Sequence, residues 1–222
     1  YIDQIDRIPL INIRKIPLDN YANAFLKRTM DFLGALFLLI LCSPILLAAA
    51  IGVKLTSPGP VIFKQERVGL NKELFTMYKF RSMVVNDQSN TAWSTNEDPR
   101  KTKFGAFIRK FSIDELPQLY NVLKGDMSLV GPRPELPYFV ENFQKSVPLY
   151  MVKHQVKPGI TGLAQVKGYR GDTSIPKRIE WDVYYIENWS LFLDIKILFM
   201  TVFKGLRNEE VLPVSEEKKK EK

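Results

Sequence analysis

The sequence predicts an α/β chain of the α+β kind, mostly helical, joined to a membrane element. Three observations carry this. Phe32 to Val53 is one uncharged apolar run with Ser43-Pro44 at its centre. VIFKQERVG (61–69) and LFTMYKFRSM (74–83) read as two strands around Gly69-Leu70-Asn71-Lys72. From Lys103 onward apolar residues return at helical spacing in successive stretches. A length of 222 residues suits one domain of moderate size plus the membrane element.

Taken in order, residues 1–24 contain IPLINIRKIPLDN and read as a linker. The chain starts at Tyr1 rather than Met, so a fragment of something longer is the expectation. Residues 25–55 hold the apolar run, long enough for a transmembrane helix of about 20 residues. Pro44 lacks a backbone N–H and frees a carbonyl one turn earlier, for which the Ser43 hydroxyl is the nearest candidate partner. A break there leaves halves of about 16 Å at ~1.5 Å per residue, each reaching only the middle of a hydrocarbon core of about 30 Å. Lys27 and Arg28 precede the run, and Lys54, Lys64 and Arg67 follow it. Positive flanks mark the cytoplasmic side, so two of them fit a hairpin that enters and leaves on one face. A kinked spanning helix fits the residues equally well, because Pro is tolerated in such helices. The run is too long and starts too late for a cleaved signal peptide.

TSPGP (56–60) is turn chemistry, and the polar stretch 86–103 reads as a mobile surface loop. KFGAFIRKFSIDELPQLYNVLKG (103–125) predicts a helix, a break near Ser112 and a second helix closing at Gly125. GPRPELP (131–137) excludes regular structure, helical spacing returns in 135–154, and VKPGITGLAQVKGYRGD (156–172) reads as loop and short strand. Residues 177–206 predict two helices joined near Asn188. The second carries Leu191, Phe192, Ile195, Leu198, Phe199, Val202 and Phe203 on one wide face. Burial in a core is the default for that face, and lying flat in the membrane interface as an amphipathic helix is the other reading. Residues 209–222 predict a disordered charged tail.

The formal net charge is +8, and the tail SEEKKKEK adds only one of those charges. Basic surfaces attract nucleic acid, anionic lipid or phosphorylated substrates, and a membrane segment favours the last two. The basic residues are spread through apolar segments with no base-stacking motif, so no nucleic-acid partner is expected. Cys42 is the only cysteine and His154 the only histidine, which excludes a disulfide framework and a Cys-based zinc site. GxxxxGK[ST], GxGxxG, HExxH, GxSxG and Asp-x-Asp are all absent.

The strongest constellation is Ser112-Ile113-Asp114-Glu115-Leu116-Pro117. Ser-x-x-Glu is a capping box, and Pro117 near a first turn would make Asp114 itself the N-cap. The second reading is chemical. A helix start attracts phosphate and keeps Asp114 ionised, able to attack phosphorus and form an acyl-phosphate. Adjacent carboxylates beside phosphates also suit Mg²⁺. Arg109, Lys79 and Arg81, the Pro-flanked Arg133, and Lys157 and Arg170 around PGITG supply cations, and arginine binds phosphate through paired donors.

These residues together resemble the bacterial sugar transferase family, the monotopic polyprenyl-phosphate phosphoglycosyl transferases. The marks are LKRTMDF before an apolar run with Ser43-Pro44, then YKFRSM, FSIDELPQLYNVLKGDMSLVGPRP, VKPGITGLAQVKG and EWDVYYIENWSLFLDIKIL, from about Phe25 to Arg207. The resemblance implies a re-entrant membrane hairpin broken at Ser43-Pro44 and a catalytic domain over 56–208 on the cytoplasmic face of the bacterial inner membrane. It implies transfer of a sugar-1-phosphate from a UDP-sugar to undecaprenyl phosphate, with Asp114 as nucleophile, Glu115 as Mg²⁺ ligand and both carboxylates at the metal. Arg109, Arg133 and Arg170 fall on the family's arginines. Lys79 and Arg81 stand with them as substrate-binding residues. Leu163 departs from the family, which often has an aromatic residue after ITG. The stretch IPLINIRKIPLDN looks like the join to an N-terminal module of the longer members. Those start exopolysaccharide or capsule with glucose-1-phosphate, so UDP-glucose is the expected donor and UDP-galactose the runner-up. Residues 168–182 are the expected sugar-facing segment, with Arg170 and Asp182 as polar candidates; the plain reading of Asp182 is a surface ion pair with Arg178. The partners implied are the UDP-sugar, undecaprenyl phosphate and the phospholipid membrane, with a homodimer left open. The competing class is a catalytically silent membrane-anchored scaffold in which Asp114-Glu115 only caps a helix.

Overall fold

The computed structural model describes residues 2–5, 8–11, 16–84, 100–171 and 173–205. The charged tail and most of the polar stretch 86–103 lie outside these residues. Ile2–Ile5 (β1) pairs antiparallel with Ile8–Ile11 (β2) inside the stretch read as linker. Tyr21–Leu41 (α1) starts earlier than expected, because the Asn20 side chain accepts from Ala22 N at 2.9 Å and caps it. Its buried residues are Lys27, Asp31 and Ala35, one stripe four residues apart. The rest of the helix exposes Phe25, Leu33, Phe37 and Ile40.

Ser43–Thr56 (α2) follows after Cys42, and the two helices are bent by 63° at this break. Pro44 cannot bond to the Ile40 carbonyl, and the Ser43 hydroxyl donates to that same oxygen at 2.8 Å. No single described helix is long and apolar enough to cross a membrane; α1 and α2 together are, by length and composition. α2 buries only Ala49 and Val53 and exposes Ile45, Leu47, Ile51 and Leu55.

Ile62–Val68 (β3) and Leu74–Phe80 (β4) form the expected antiparallel hairpin. Its turn is closed by Asn71 and Lys72 in the left-handed region. Lys103–Lys110 (α3) is capped by Thr102, whose hydroxyl accepts from Gly105 N. Gln118–Lys124 (α4) ends at Gly125, whose φ of 101° is the left-handed C-terminal conformation glycine favours. The Asn121 amide docks α4 on β4 by accepting from Tyr78 N at 3.1 Å and donating to Thr76 O at 2.7 Å.

Ser128–Val130 (β5) pairs parallel with Gly159–Thr161 (β6), so the short strand expected in 156–172 has a partner that its sequence did not announce. The strands meet so closely that a Cβ on Gly159 would lie 2.1 Å from Gly131 N. Pro137–Ser146 (α5), a 3-10 stretch at Tyr150–Gln155, Leu163–Val166 (α6), Ile175–Glu187 (α7) and Leu191–Gly205 (α8) complete the domain. The single short sheet expected is thus three two-stranded pairs. The main core gathers Val122, Met127, Val130, Tyr150, Tyr185, Ile186 and Ile197. The default expectation for the α8 face is overturned: Phe192, Ile195, Phe199, Val202 and Phe203 are all exposed. α8 instead buries Ile197 and Asp194 completely, and Asp194 takes Lys27 of α1 at 2.8 Å, the Tyr185 hydroxyl at 2.8 Å and Trp189 Nε1 at 3.1 Å.

Candidate active site

The site grows from the break between α3 and α4. Ser112 sits in the left-handed region at φ 55°, unusual for a residue with a Cβ, and reverses the chain after α3. Ile113–Glu115 then form one 3-10 turn, and α4 begins after Pro117. Neither Ser112 nor Pro117 makes a side-chain cap, so the expected capping box and the Asp114 N-cap do not form. The reason is backbone direction: with Ser112 left-handed, the acidic pair turns inward. The helix-cap account of Asp114-Glu115 loses its basis here.

Both carboxylates are 7% exposed, yet their surroundings differ. Glu115 Oε1 accepts from Lys79 Nζ at 3.0 Å and from Arg133 Nη2 at 2.8 Å. Glu115 Oε2 faces Arg170 Nη2 at 3.4 Å. Three separate segments therefore converge on one side chain: β4 with Lys79, the GPRP loop with Arg133, and the loop after α6 with Arg170. Arg67 Nη1 donates from β3 to Pro134 O, the carbonyl next to Arg133, at 3.3 Å. Arg170 also donates to the Ser112 hydroxyl at 3.4 Å. Asp114, by contrast, has no hydrogen-bond or ion-pair partner among the described residues.

The electrostatics separate the pair further. Burial and the neighbouring Glu115 push the Asp114 carboxyl above its usual range, against the pull of Lys79, Arg109 and Arg170. This corrects the expectation that a helix start holds Asp114 ionised; no α-helix starts there, and desolvation dominates. Glu115 is desolvated too, but Arg133, Lys79 and Arg170 outweigh burial and hold it well below the usual carboxylate range. Burial lowers Lys79 to about 8 despite Glu115. Two adjacent acids thus differ in role: Glu115 is a fixed anion that organises cations, and Asp114 is a poorly solvated carboxylate without a partner among the described residues.

The other expected residues fall into place unevenly. Arg109 lies in the last turn of α3, and its charge acts on Asp114. Arg81 is not brought to the carboxylates: it is 6% exposed and donates to Ser57 O at 2.6 Å and Ser57 Oγ at 2.9 Å, tying β4 to the end of α2. Alternation along β4 puts it on the face of Lys79, but two residues further on. Asp182 also departs from expectation. It is 2% exposed, with Lys153 Nζ at 3.9 Å, in a buried ion cluster with Glu135 and Arg178, so it does not face a donor. Lys157 lies beside Arg28, and His154 is buried with Nδ1 at 3.2 Å from Gly69 O. Of the supporting residues, Glu135 and Lys153 were not singled out from the sequence, and Arg67, Ser112 and Arg178 stood there only as a flanking charge, a helix break with its capping box and an ion-pair partner for Asp182. The signal available for Glu135 was a charge in a Pro-rich apolar context; for Ser112 it was the break between two helical stretches, which marks a turn but not its left-handed backbone.

Comparison with known proteins adds to this geometry. Residues 22–208 match the family described as bacterial sugar transferase. The chain is similar to the UDP-glucose:undecaprenyl-phosphate glucose-1-phosphate transferase of Escherichia coli (strain K12), at 46% identity over 94% of this chain and 46% of that protein. It is 52% identical to the UDP-N-acetylgalactosamine-undecaprenyl-phosphate N-acetylgalactosaminephosphotransferase of Aeromonas hydrophila, over 81% of this chain and 43% of that protein. It is 44% identical to a UDP-glucose:undecaprenyl-phosphate glucose-1-phosphate transferase of Caulobacter vibrioides, over 84% of this chain and 72% of that protein. The chain thus spans less than half the length of the first two relatives. The family match nonetheless extends from the first turn of α1 past the end of α8, over every segment that supplies the acidic pair and its cations, and the chain belongs to the bacterial sugar transferase family.

Proposed function

We propose that this chain is the catalytic part of a phosphoglycosyl transferase, moving a sugar-1-phosphate from a UDP-sugar to undecaprenyl phosphate at the cytoplasmic face of the bacterial inner membrane, in exopolysaccharide or capsule synthesis. The observation that carries the reading is the Asp114 carboxylate, partnerless among the described residues, beside a Glu115 gripped by Lys79, Arg133 and Arg170. An Asp114 oxygen attacks the sugar-bearing phosphorus. The bond from that phosphorus to the bridging oxygen breaks, and UMP leaves with the electron pair. The product is a mixed anhydride of Asp114 and the phosphosugar. An oxygen of undecaprenyl phosphate then attacks the same phosphorus, the anhydride bond breaks and the Asp114 carboxylate returns. Arg133, Arg170, Arg109 and Lys79 bind the diphosphate and stabilise charge developing on the transferring group. Two successive displacements let both phosphates use one cationic pocket in turn.

The donor set suits Mg²⁺ arriving with the diphosphate. Among the described residues no group of three or more His, Cys, Asp or Glu could cage a metal. Mg²⁺ needs only one or two carboxylates when phosphates and water complete its shell. The Asp114 carboxylate and Glu115 Oε2, which faces a single cation, would hold it. Bound Mg²⁺ would neutralise diphosphate charge.

The α1–α2 pair supports a re-entrant hairpin. Its halves are bent by 63°, and the carbonyl freed at Pro44 is satisfied by Ser43. The exposed apolar residues of α8 support an interfacial helix on the phospholipid membrane. Glucose is the first donor reading, since two relatives carry UDP-glucose in their names. The name of the Aeromonas hydrophila relative puts UDP-N-acetylgalactosamine beside UDP-galactose as the alternatives.

The test is incubation with each UDP-sugar, followed by intact-mass analysis and by radiolabel transfer to undecaprenyl phosphate. A phosphosugar adduct is expected on the wild type and absent from Asp114→Asn, with transfer abolished by excess chelator. An adduct on Asp114→Asn, or full transfer in chelator, would overturn the nucleophile or the metal respectively.

A further inference from the structure

Arg178 lies outside the cation cluster around Glu115, on α7, and is 3% exposed. Its guanidinium reaches two loops at once. Nη1 donates to Glu135 Oε1 at 3.0 Å, and Nη2 donates to Gly171 O at 2.7 Å and Thr173 Oγ1 at 3.3 Å. Glu135 follows Arg133 by two residues, and Gly171 directly follows Arg170. One planar fork therefore ties the loop that carries Arg133 to the loop that carries Arg170.

The two ends of this tie are held differently. Glu135 is fixed from several sides: its other oxygen accepts from the Tyr150 hydroxyl, Lys153 Nζ lies 3.4 Å from Oε1, and its carbonyl accepts from Val68 N at 3.0 Å. The loop at Arg170 is held on its N-terminal side by backbone bonds from Tyr169 N to Ala164 O and from Arg170 N to Gly168 O, and more lightly at the side chain. Gly168 and Gly171 flank it with φ of 94° and 71°, and the Arg170 side chain is 41% exposed with contacts of only 3.4 Å to Glu115 and Ser112. Two long, half-exposed contacts do not place a flexible side chain to within the few tenths of an ångström that oriented catalysis needs. The backbone beside it has to be anchored, and the short bond from Arg178 to Gly171 O is such an anchor.

We propose that Arg178 is a positioning residue: it uses the rigid Glu135 as a base to set Arg170 at a fixed distance from Arg133 across Glu115, so that both meet the same donor diphosphate. This rests on the transferase reading above, in which Arg170 binds that diphosphate. Lysine cannot replace Arg178 here, because one ammonium on a flexible stem does not bridge a carboxylate and a carbonyl in a fork.

The test is a double-mutant cycle on the full chain in lipid nanodiscs, with steady-state transfer from UDP-glucose and thermal unfolding measured together. Arg178→Lys keeps the charge beside Glu135. It is expected to raise KM for the UDP-sugar roughly ten-fold with kcat within about two-fold, since one charge-assisted contact is misplaced. In an Arg170→Ala background the same change is expected to add nothing to KM. Thr173→Val, which leaves Glu135 and Arg178 paired, is expected to raise KM roughly two-fold and also to fall silent in Arg170→Ala. If Arg178→Lys fails to fold, the Thr173 cycle decides. Effects on KM that multiply with Arg170→Ala, or an unchanged KM in the folded single variant, overturn the positioning role while an active wild type leaves the transferase reading standing. A wild type that turns over no UDP-sugar overturns that reading, and this inference with it.

Discussion

Asp114 and Glu115 are neighbours in sequence with opposite energetic roles. Asp114 has its carboxyl pushed above the usual range in the folded protein, first by burial and then by Glu115. Folding therefore favours its protonated form, and that contribution is lost as pH rises through the raised value. At neutral pH the ionised carboxylate destabilises the fold, so Asp114→Asn is expected to be inactive yet more stable by about 1 kcal/mol, a rise of roughly 2–4 °C in Tm for a domain of this size. Glu115 is depressed below its usual range despite burial, so its contribution is present above its unfolded value and lost as pH falls through the folded one. Glu115→Gln leaves Lys79 and Arg133 facing a neutral amide and is expected to destabilise by about 3 kcal/mol. Scanning calorimetry of the two variants at neutral pH checks both signs; equal shifts in one direction would show that the pair does not divide the work this way. Transfer by the wild type should also fall on the acid side as Asp114 takes up its proton.

At the scale of elements, the α1–α2 break and the α8 face carry the membrane reading. Both ends of the pair are expected on the cytoplasmic side. Cysteines placed at positions 26 and 56 in a Cys42→Ser background should both resist an impermeant reagent in spheroplasts, whereas labelling of one end establishes a spanning helix. Pro44→Ala restores an N–H to the Ile40 carbonyl, makes the Ser43 bond redundant and should shift labelling toward the spanning pattern. These elements also show what the sequence makes legible. The apolar run, the Pro break, the β3–β4 hairpin, the turn at Ser112 and the two last helices are all local signals of period or breaker residues, and each stands where its signal put it. Pairing of β5 with β6 was not legible, because three-residue strands leave no period and their partners are about 30 residues apart in sequence. The capping box misled because Ser112 takes a left-handed backbone that no residue type at that position announces. Lys79, Arg133 and Arg170 stood out as cations; that they share one glutamate is a tertiary fact. Arg81 and Asp182 have the same residue chemistry and are placed elsewhere, beside Ser57 and Lys153.

Over the whole molecule, the α1–α2 pair is joined to the domain by charge as well as by apolar packing, in which Ala35 enters the main core and Ala49 and Val53 meet Phe80 and Ile108. Lys27 lies between Asp31 at 3.4 Å and Asp194 at 2.8 Å, and Asp31 also accepts from Leu129 N at 3.0 Å. Arg28 adds bonds to the carbonyls of Val122 and Leu123 at 2.6 and 2.8 Å, a cation at the C-terminus of α4. With Asp194 fully buried, Asp194→Asn leaves the Lys27 ammonium only its longer pair with Asp31 and is expected to cost about 3 kcal/mol, read as a lower urea midpoint in detergent. An unchanged midpoint would mean that the apolar stripes, not the ions, hold α1 in place.

The grip of three cations on Glu115 has one more consequence. Lys79, Arg133 and Arg170 would repel one another in an empty pocket and drift apart until a ligand gathered them. Glu115 acts as a resident counter-anion that keeps them assembled. The work of crowding like charges is thus done once, during folding, and in the proposed reaction an arriving diphosphate would find its electrostatic mould already set, with little reorganisation left for the chemical step.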